Sequence, residues 1–315
     1  MRSQLSRSIT LLSVAAMLAS CSPPPALDEC LPEQGATGIF VSGSGSDATG
    51  DGSLAAPYRS LTQALDAASL DTTIHVLCGT FGDASGEAYP IDVSGHTVKG
   101  IGPALASIVY AGSDPGAKAL VAFSGTVSIE GLTLSGFTGN TIEFAGGTAT
   151  IADVRVVSPA DDDGSGIRLD GGAVVELLRV EVSGGDEGVS IGDFAAVRVV
   201  DSVIRGARGD GIDIGDAASL FVRGTRITGS ASSGIEVGSP GSIDLGTVAD
   251  PGGNTITGNA EWQIQDRRAA FAGTTIMAIG NDLGTPVSGV QTGPSSLPLV
   301  WEIVNGGNQI DFGGP

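Results

Sequence analysis

"GVSIGDFAAVRVVDSVIRGARGD" (residues 188–210) runs directly into "GIDIGDAASLFVRGTRITGSASS" (211–233), and the two stretches share one frame. Each opens on glycine and an apolar-x-apolar triplet, turns through small and acidic residues, and gives a second apolar-x-apolar triplet. Each closes on a third short strand that ends near glycine. "SGIRLDGGAVVELLRVEVSGGDE" (165–187) and "NTIEFAGGTATIADVRVVS" (140–158) fit the same frame, as does "GIEVGSPGSIDLGTVADPGGNTITG" (234–258) with an insertion. The third-strand apolar residues Leu134, Val156, Val182, Ile204, Ile227 and Ile256 lie 22, 26, 22, 23 and 29 positions apart. One supersecondary unit is therefore repeated, with insertions at its corners.

Strands of three to five residues that alternate apolar with polar turn one face inward. Three such strands per repeat bury nothing alone, but stacked coils enclose a column of Val, Ile and Leu between three parallel sheets. The expected fold is all-β: a right-handed parallel β-helix of roughly nine coils, with a short N-terminal capping helix. It resembles the pectin-lyase-like class. Leucine-rich repeat spacing is absent. The helix is expected in "SLTQALDAASL" (60–70), where Ser60 and Gln63 have capping-box spacing and Leu61, Ala64, Leu65 and Ala68 form an apolar face.

The approach to the first coils, with Gly52, Ser53, Pro57, Tyr58, Ser60 and Leu61, resembles a module found at the start of many secreted bacterial β-helix proteins. That module is catalogued as a domain of unknown function, and the resemblance, over about residues 39–102, implies fold and export but no reaction. Arg2 and Arg7 followed by "ITLLSVAAMLA" read as a signal peptide, because the run is about half the ~20 residues that cross a bilayer. "LASC" at 18–21 resembles the bacterial lipobox, which implies lipid on Cys21. The expected organisation is a signal peptide at 1–20, a lipidated proline-rich tether at 21–37 and an N-terminal cap with first coils at 38–102. Coils at 103–282 and a C-terminal cap or tail at 283–315 complete it. Ser22 lacks the acidic inner-membrane retention signal, so the expected location is the bacterial cell envelope, lipid-anchored at the outer membrane or cell surface. Cys30 and Cys78 are the two remaining cysteines of an exported chain, which favours a disulfide over free thiols.

Removing residues 1–20 takes away two arginines and no acid, so the formal charge moves from −20 to −22. Such a surface repels nucleic acid and counts against anionic polysaccharides unless calcium or an arginine cluster intervenes. The expected partners are a membrane, through Cys21, and a polysaccharide or another surface protein.

"GDGIDIG" (209–215) resembles part of the polygalacturonase active-site sequence, so Asp210 and Asp213 are candidate sugar-cleaving carboxylates. The repeat offers a plainer account. Asp213 is the outward residue of a triplet, equivalent to Glu143, Arg168, Ser190 and Glu236. Asp210 is a corner residue, equivalent to Asp163 or Ser165, Glu187 and Ser233. The family's Asp-Asp pair and Gly-His-Gly turn have no counterpart, and Thr228 replaces the lysine of its Arg-Ile-Lys cluster after Arg226 and Ile227. The sequence calls for no cofactor. Ca²⁺ is the one ion with candidate ligands, at Asp161, Asp162 and Asp163, although consecutive aspartates at a corner do not converge as a calcium loop does. Exposed aromatics for sugar stacking are scarce, since Phe144, Phe194 and Phe221 are the only ones from 140 to 233. The expectation is a lipid-anchored, non-catalytic acidic rod for envelope structure, adhesion or ligand binding. The alternative is a divergent polysaccharide hydrolase or lyase acting on extracellular glycans, with Asp210, Asp213, Glu236 and Arg168 as its candidate catalytic residues.

Overall fold

The computed structural model describes residues 30–102, 106–109, 111, 114–159, 163–239, 241–267 and 276–284, together with the backbone of Val290–Gln291, Glu302–Asn305 and Asn308–Asp311. Cys21 and the signal segment lie outside the described residues, as do Asp161 and Asp162.

The chain winds as a right-handed parallel β-solenoid with three sheets of ten, nine and eight strands. The chain passes from the ten-stranded sheet to the eight-stranded and then to the nine-stranded sheet, as in Thr126–Glu130, Leu132–Ser135 and Ile142–Phe144. The repeat frame predicts the register residue for residue. Ile142, Ile167, Val189, Ile212, Ile235 and Ile264 stack in one inward column, and all are fully buried. Leu134, Val156, Val182, Ile204, Ile227 and Ile256 form a second column, which explains their spacing in the sequence.

The glycine that opens each repeat has a packing reason. A Cβ on Gly211 would lie 2.5 Å from Ile227 Cγ2 and 2.6 Å from the Gly234 carbonyl oxygen. The corner has no room for a methyl group beside the third-strand isoleucine. At the opposite corner a polar ladder develops toward the C-terminal end. The side chains of Ser202, Thr225, Asn254 and Asn281 each accept the backbone N–H of the residue one coil before, namely Val180, Ser202, Thr225 and Asn254.

Helix Leu61–Ala67 closes the N-terminal end with Leu61 and Ala64 against the core. Ser60 Oγ accepts the Gln63 N–H, half of the expected capping box. Two acids that the sequence does not single out complete the cap. Glu87 accepts the N–H groups of Leu61 and Thr62, and Asp47 accepts those of Arg59 and Ser60. A disulfide joins Cys30 to Cys78 and ties the start of the described chain to the first coils. Among the described residues no helix is long and apolar enough to cross a membrane.

Candidate active site

The middle residues of the nine-stranded sheet's strands project outward as one column. In coil order these are Asp92, Val121, Glu143, Arg168, Ser190, Asp213, Glu236 and Gln265. Asp213 and Glu236 are directly adjacent in it. A second column, at the corner before these strands, holds Ser165, Glu187, Asp210 and Ser233. The backbone ladder from the Gly166, Gly188 and Gly211 N–H groups to the Glu187, Asp210 and Ser233 carbonyls fixes that order. Ser165, and not Asp163, is therefore the equivalent of Asp210. Asp163 turns outward to an ion pair with Arg208 at 2.6 Å.

The two columns bring Asp210, Asp213 and Glu236 together, with Glu187 beside them. Asp210 Oδ1 accepts the Ser233 N–H at 2.6 Å, which fixes that carboxylate at the corner. The Asp210 carboxylate also lies in hydrogen-bond reach of the Glu236 carboxyl. Asp213 is half-buried, and the Glu236 side chain is only 12% exposed. The expectation that these are plain outward and corner positions of a rod is corrected on this point: they are partly withdrawn from water and crowd one another.

The electrostatics follow from that crowding. Burial, followed by repulsion from Glu187 and Asp210, pushes the Asp213 carboxyl up to about 6, against the pull of Arg267 and Arg168. Burial and then the Asp210 charge push Glu236 up to about 7. The Arg267 guanidinium, 3.1 Å away, opposes this without cancelling it, because that arginine is largely exposed and its field is screened by water. Burial raises Glu187 as well, with Asp186 and Asp210 adding to the effect.

Elsewhere on the rod, many acids are matched with bases. Asp153 pairs with Arg179, Glu181 with Arg155 and Arg205, Glu176 with Arg198, Asp186 with Arg208, and Asp244 and Asp250 with Arg223. The Asp210–Asp213–Glu236 cluster departs from this pattern, because three acids crowd together around the one partly exposed Arg267 on Glu236, which makes it a functional-site candidate on physical grounds. Arg168 stands two coils before Asp213 and donates to Asp170 at 2.6 Å. Asp170 and Glu143 raise its pKa despite burial, so it keeps its proton and is unsuited to act as a base. Among the described residues, no group of three or more His, Cys, Asp or Glu side chains is arranged to hold a metal ion.

Sequence reasoning did not place Glu187 and Arg267 in the site. Glu187 was legible, because the glycines at 166, 188, 211 and 234 align it beneath Asp210. Arg267 follows the strand Ile264–Asp266 after an insertion, and no periodic signal marks it. The aromatic inventory also resolves. Phe144 is core, Phe194 is 74% exposed, and Phe221 lies between the guanidinium groups of Arg198 and Arg223.

The fold is similar to that of the pectate lyase Pel9A, with a TM-score of 0.56 and 11% identity over 88% of this chain and 83% of that one. The Azotobacter vinelandii mannuronan C-5 epimerase AlgE4 A-module gives 0.45 and 14% identity over 75% and 86%. The periplasmic alginate epimerase AlgG gives 0.36 and 10% over 74% and 76%. Among curated protein sequences none matches. The Pel9A similarity removes the ground on which the expectation leaned against catalysis. That leaning treated the rod as scaffold, whereas a solved structure with this fold over most of both chains is a pectate lyase. The matching family pattern extends beyond the N-terminal module through the solenoid, over residues 43–288, and the chain belongs to the family described as protein of unknown function (DUF1565).

Proposed function

We propose that the chain is a polysaccharide-cleaving enzyme of the hydrolase type, acting on extracellular glycans with Glu236, Asp213 and Asp210 as its working carboxyl groups. The observation that supports this is their convergence, partly shielded from water, where the outward column of the solenoid meets its corner column. Strand neighbours in a sheet lie ~4.8 Å apart. Carboxyl groups on adjacent coils therefore come near the ~5–5.5 Å separation of retaining glycosidases.

The protonated Glu236 carboxyl gives its proton to the glycosidic oxygen as that bond breaks. The Asp213 carboxylate attacks the anomeric carbon and forms a glycosyl ester. Water, deprotonated by Glu236, then cleaves the ester and restores both groups. Asp210 keeps the proton on Glu236 through its own charge. The test is a panel of neutral and anionic polysaccharides, with and without Ca²⁺, followed by new reducing ends and by absorbance of unsaturated products. Hydrolysis lost in Asp213→Asn and retained in Glu176→Gln, on the ten-stranded sheet away from this column, is the expected result. Unsaturated products, or silence across the panel from folded protein, would sink the hydrolase reading.

The proposal also places the chain outside the cytoplasm, held at the bacterial cell envelope by lipid on Cys21. The supporting features are the "LASC" stretch and a disulfide of the kind that persists in oxidising compartments. Labelled palmitate is expected to enter the chain and to be absent from Cys21→Ala. Equal labelling of both proteins would refute the anchor.

A further inference from the structure

The outward column that carries Asp213 and Glu236 continues toward the N-terminal end of the solenoid through Ser190, Arg168, Glu143 and Val121. Around Val121 the surface sinks into a hollow of about 460 Å³. Val121, buried, is its floor. Pro90, Phe123, Asp83, Asp114 and Lys118 stand around it, with Glu143 on the side facing the carboxylates. Phe123 is 57% exposed, and its N–H donates to Ser94 Oγ at 2.9 Å, which holds the backbone beneath the ring. An exposed aromatic beside carboxylates on an apolar floor is the arrangement that receives a sugar ring, with an apolar face against the phenyl group and hydroxyl groups toward the acids.

We propose that this hollow is a distal subsite for the glycan cleaved at Asp213 and Glu236, and that it takes a sugar unit that is uncharged or carries an amino group. The inference rests on the hydrolase reading for the identity of its occupant. Two observations on this chain support it. The first is continuity, because Glu143 at the hollow's edge is three coils from Asp213 in an unbroken register, ~14 Å at one strand spacing per coil. A short oligosaccharide lying along the column spans that distance without leaving the sheet face. The second is charge. Among the described residues lining the hollow, Lys118 is the one cation, and its Nζ lies 2.7 Å from Glu143 Oε2, so it is already neutralised. Asp83, Asp114 and Glu87 add negative potential, with Glu87 held by the helix N-terminus. Toward the carboxylates, Arg168 is tied to Asp170 and Arg267 to Glu236. A uronate unit would meet like charge here and, among the described residues that line the hollow, no cation without an ion pair. An uncharged ring escapes that penalty, and an amino-bearing ring gains from the field.

Isothermal titration of the full mature chain in an Asp213→Asn background, where no cleavage consumes the ligand, tests the subsite. The probes are the glucosamine dimer and hexamer, cellobiose and cellohexaose, and hexagalacturonate. The expected result is a hexamer of glucosamine or glucose that binds about tenfold or more tighter than its dimer. Phe123→Ala should erase that increment, and hexagalacturonate should be the weakest hexamer. Phe123 is a surface side chain, so an unchanged melting temperature certifies the fold of the variant. The subsite is overturned if the increment survives Phe123→Ala, if hexagalacturonate binds tightest, or if no hexamer binds. Failure of the hydrolase reading would show elsewhere, as wild-type protein that cleaves none of the panel, because the length increment is read without turnover.

Discussion

Glu236→Gln and Asp213→Asn are each expected to lower cleavage about a thousandfold while raising the stability of the folded chain at pH 7.5. The two effects share one cause. Loss of a positioned acid or nucleophile removes transition-state stabilisation worth about 10²–10⁴ in rate. The same carboxyl groups are poor for folding, because in the folded chain they are shielded from water and crowded by Glu187 and Asp210. Their folded pKa values, about 6 and about 7, stand above the ordinary 3.8 and 4.5. Between about pH 4 and pH 7 the folded state therefore binds more protons than the unfolded state, and stability falls as pH rises through that window. Below the window both states are protonated and the amide variants should match the wild type. Above it the wild type carries the full penalty of both charges. Screening at a partly exposed site keeps that penalty small, so the gain per substitution is about 1–2 kcal/mol.

The measurement is urea denaturation at pH 3 and pH 7.5. A stability gain in the amide variants that is absent at pH 3 and present at pH 7.5 is the expected signature. A loss of stability at both values would mean that the carboxylates serve the fold instead. Cleavage should trace a narrow bell whose limbs fall near pH 6 and pH 7. Those limbs belong to the interacting pair rather than to either group alone. Glu176→Gln, on the ten-stranded sheet away from this column, should leave that bell in place.

Much of this arrangement is legible in the sequence alone. Glycine followed by apolar-x-apolar, repeated at about 23 residues, specifies the inward columns. It also puts Asp213 and Glu236 in one outward file, because alternation along a strand and register between coils are the same rule applied twice. What alternation does not encode is how wet the outward file is. It treats Asp213 as a solvated residue, whereas Asp213 is half-buried and feels the charges of Asp210 and Glu187. Arg267 arrives from beyond an irregular stretch that breaks the period. The N-terminal cap is legible only in its local half. Ser60 and Gln63 are three residues apart, but Glu87 reaches the helix N-terminus from 26 positions away. Contacts of that kind follow from the path of the chain between coils, which insertions set and periodicity does not. The polar ladder falls in the same class. Ser202, Thr225, Asn254 and Asn281 differ in side chain and spacing, and only the coil register shows that they share one function.

Asn254→Ala is expected to destabilise the chain by about 3–5 kcal/mol, although it removes only three heavy atoms. Asn254 is 1% exposed and sits at the centre of the ladder. Its Oδ1 accepts the Thr225 N–H at 3.0 Å, and its Nδ2 donates to the Val222 and Leu245 carbonyls and to Asn281 Oδ1. Alanine leaves a buried N–H and two carbonyl groups with fewer partners, each loss costing about 1–3 kcal/mol where water does not enter. The ladder itself supplies the graded control. Thr225 does the same work one coil earlier with a single hydroxyl that accepts the Ser202 N–H and donates to the Arg223 carbonyl, so Asn254→Thr should keep the acceptor and one donor in place of the amide's two. Its expected cost is about half that of alanine. Denaturation midpoints that order wild type above Asn254→Thr above Asn254→Ala would establish that the asparagine acts through its hydrogen bonds. Equal costs for the two variants would mean that it acts through its volume, and a cost below ~1 kcal/mol for alanine would mean that water replaces the amide at no loss.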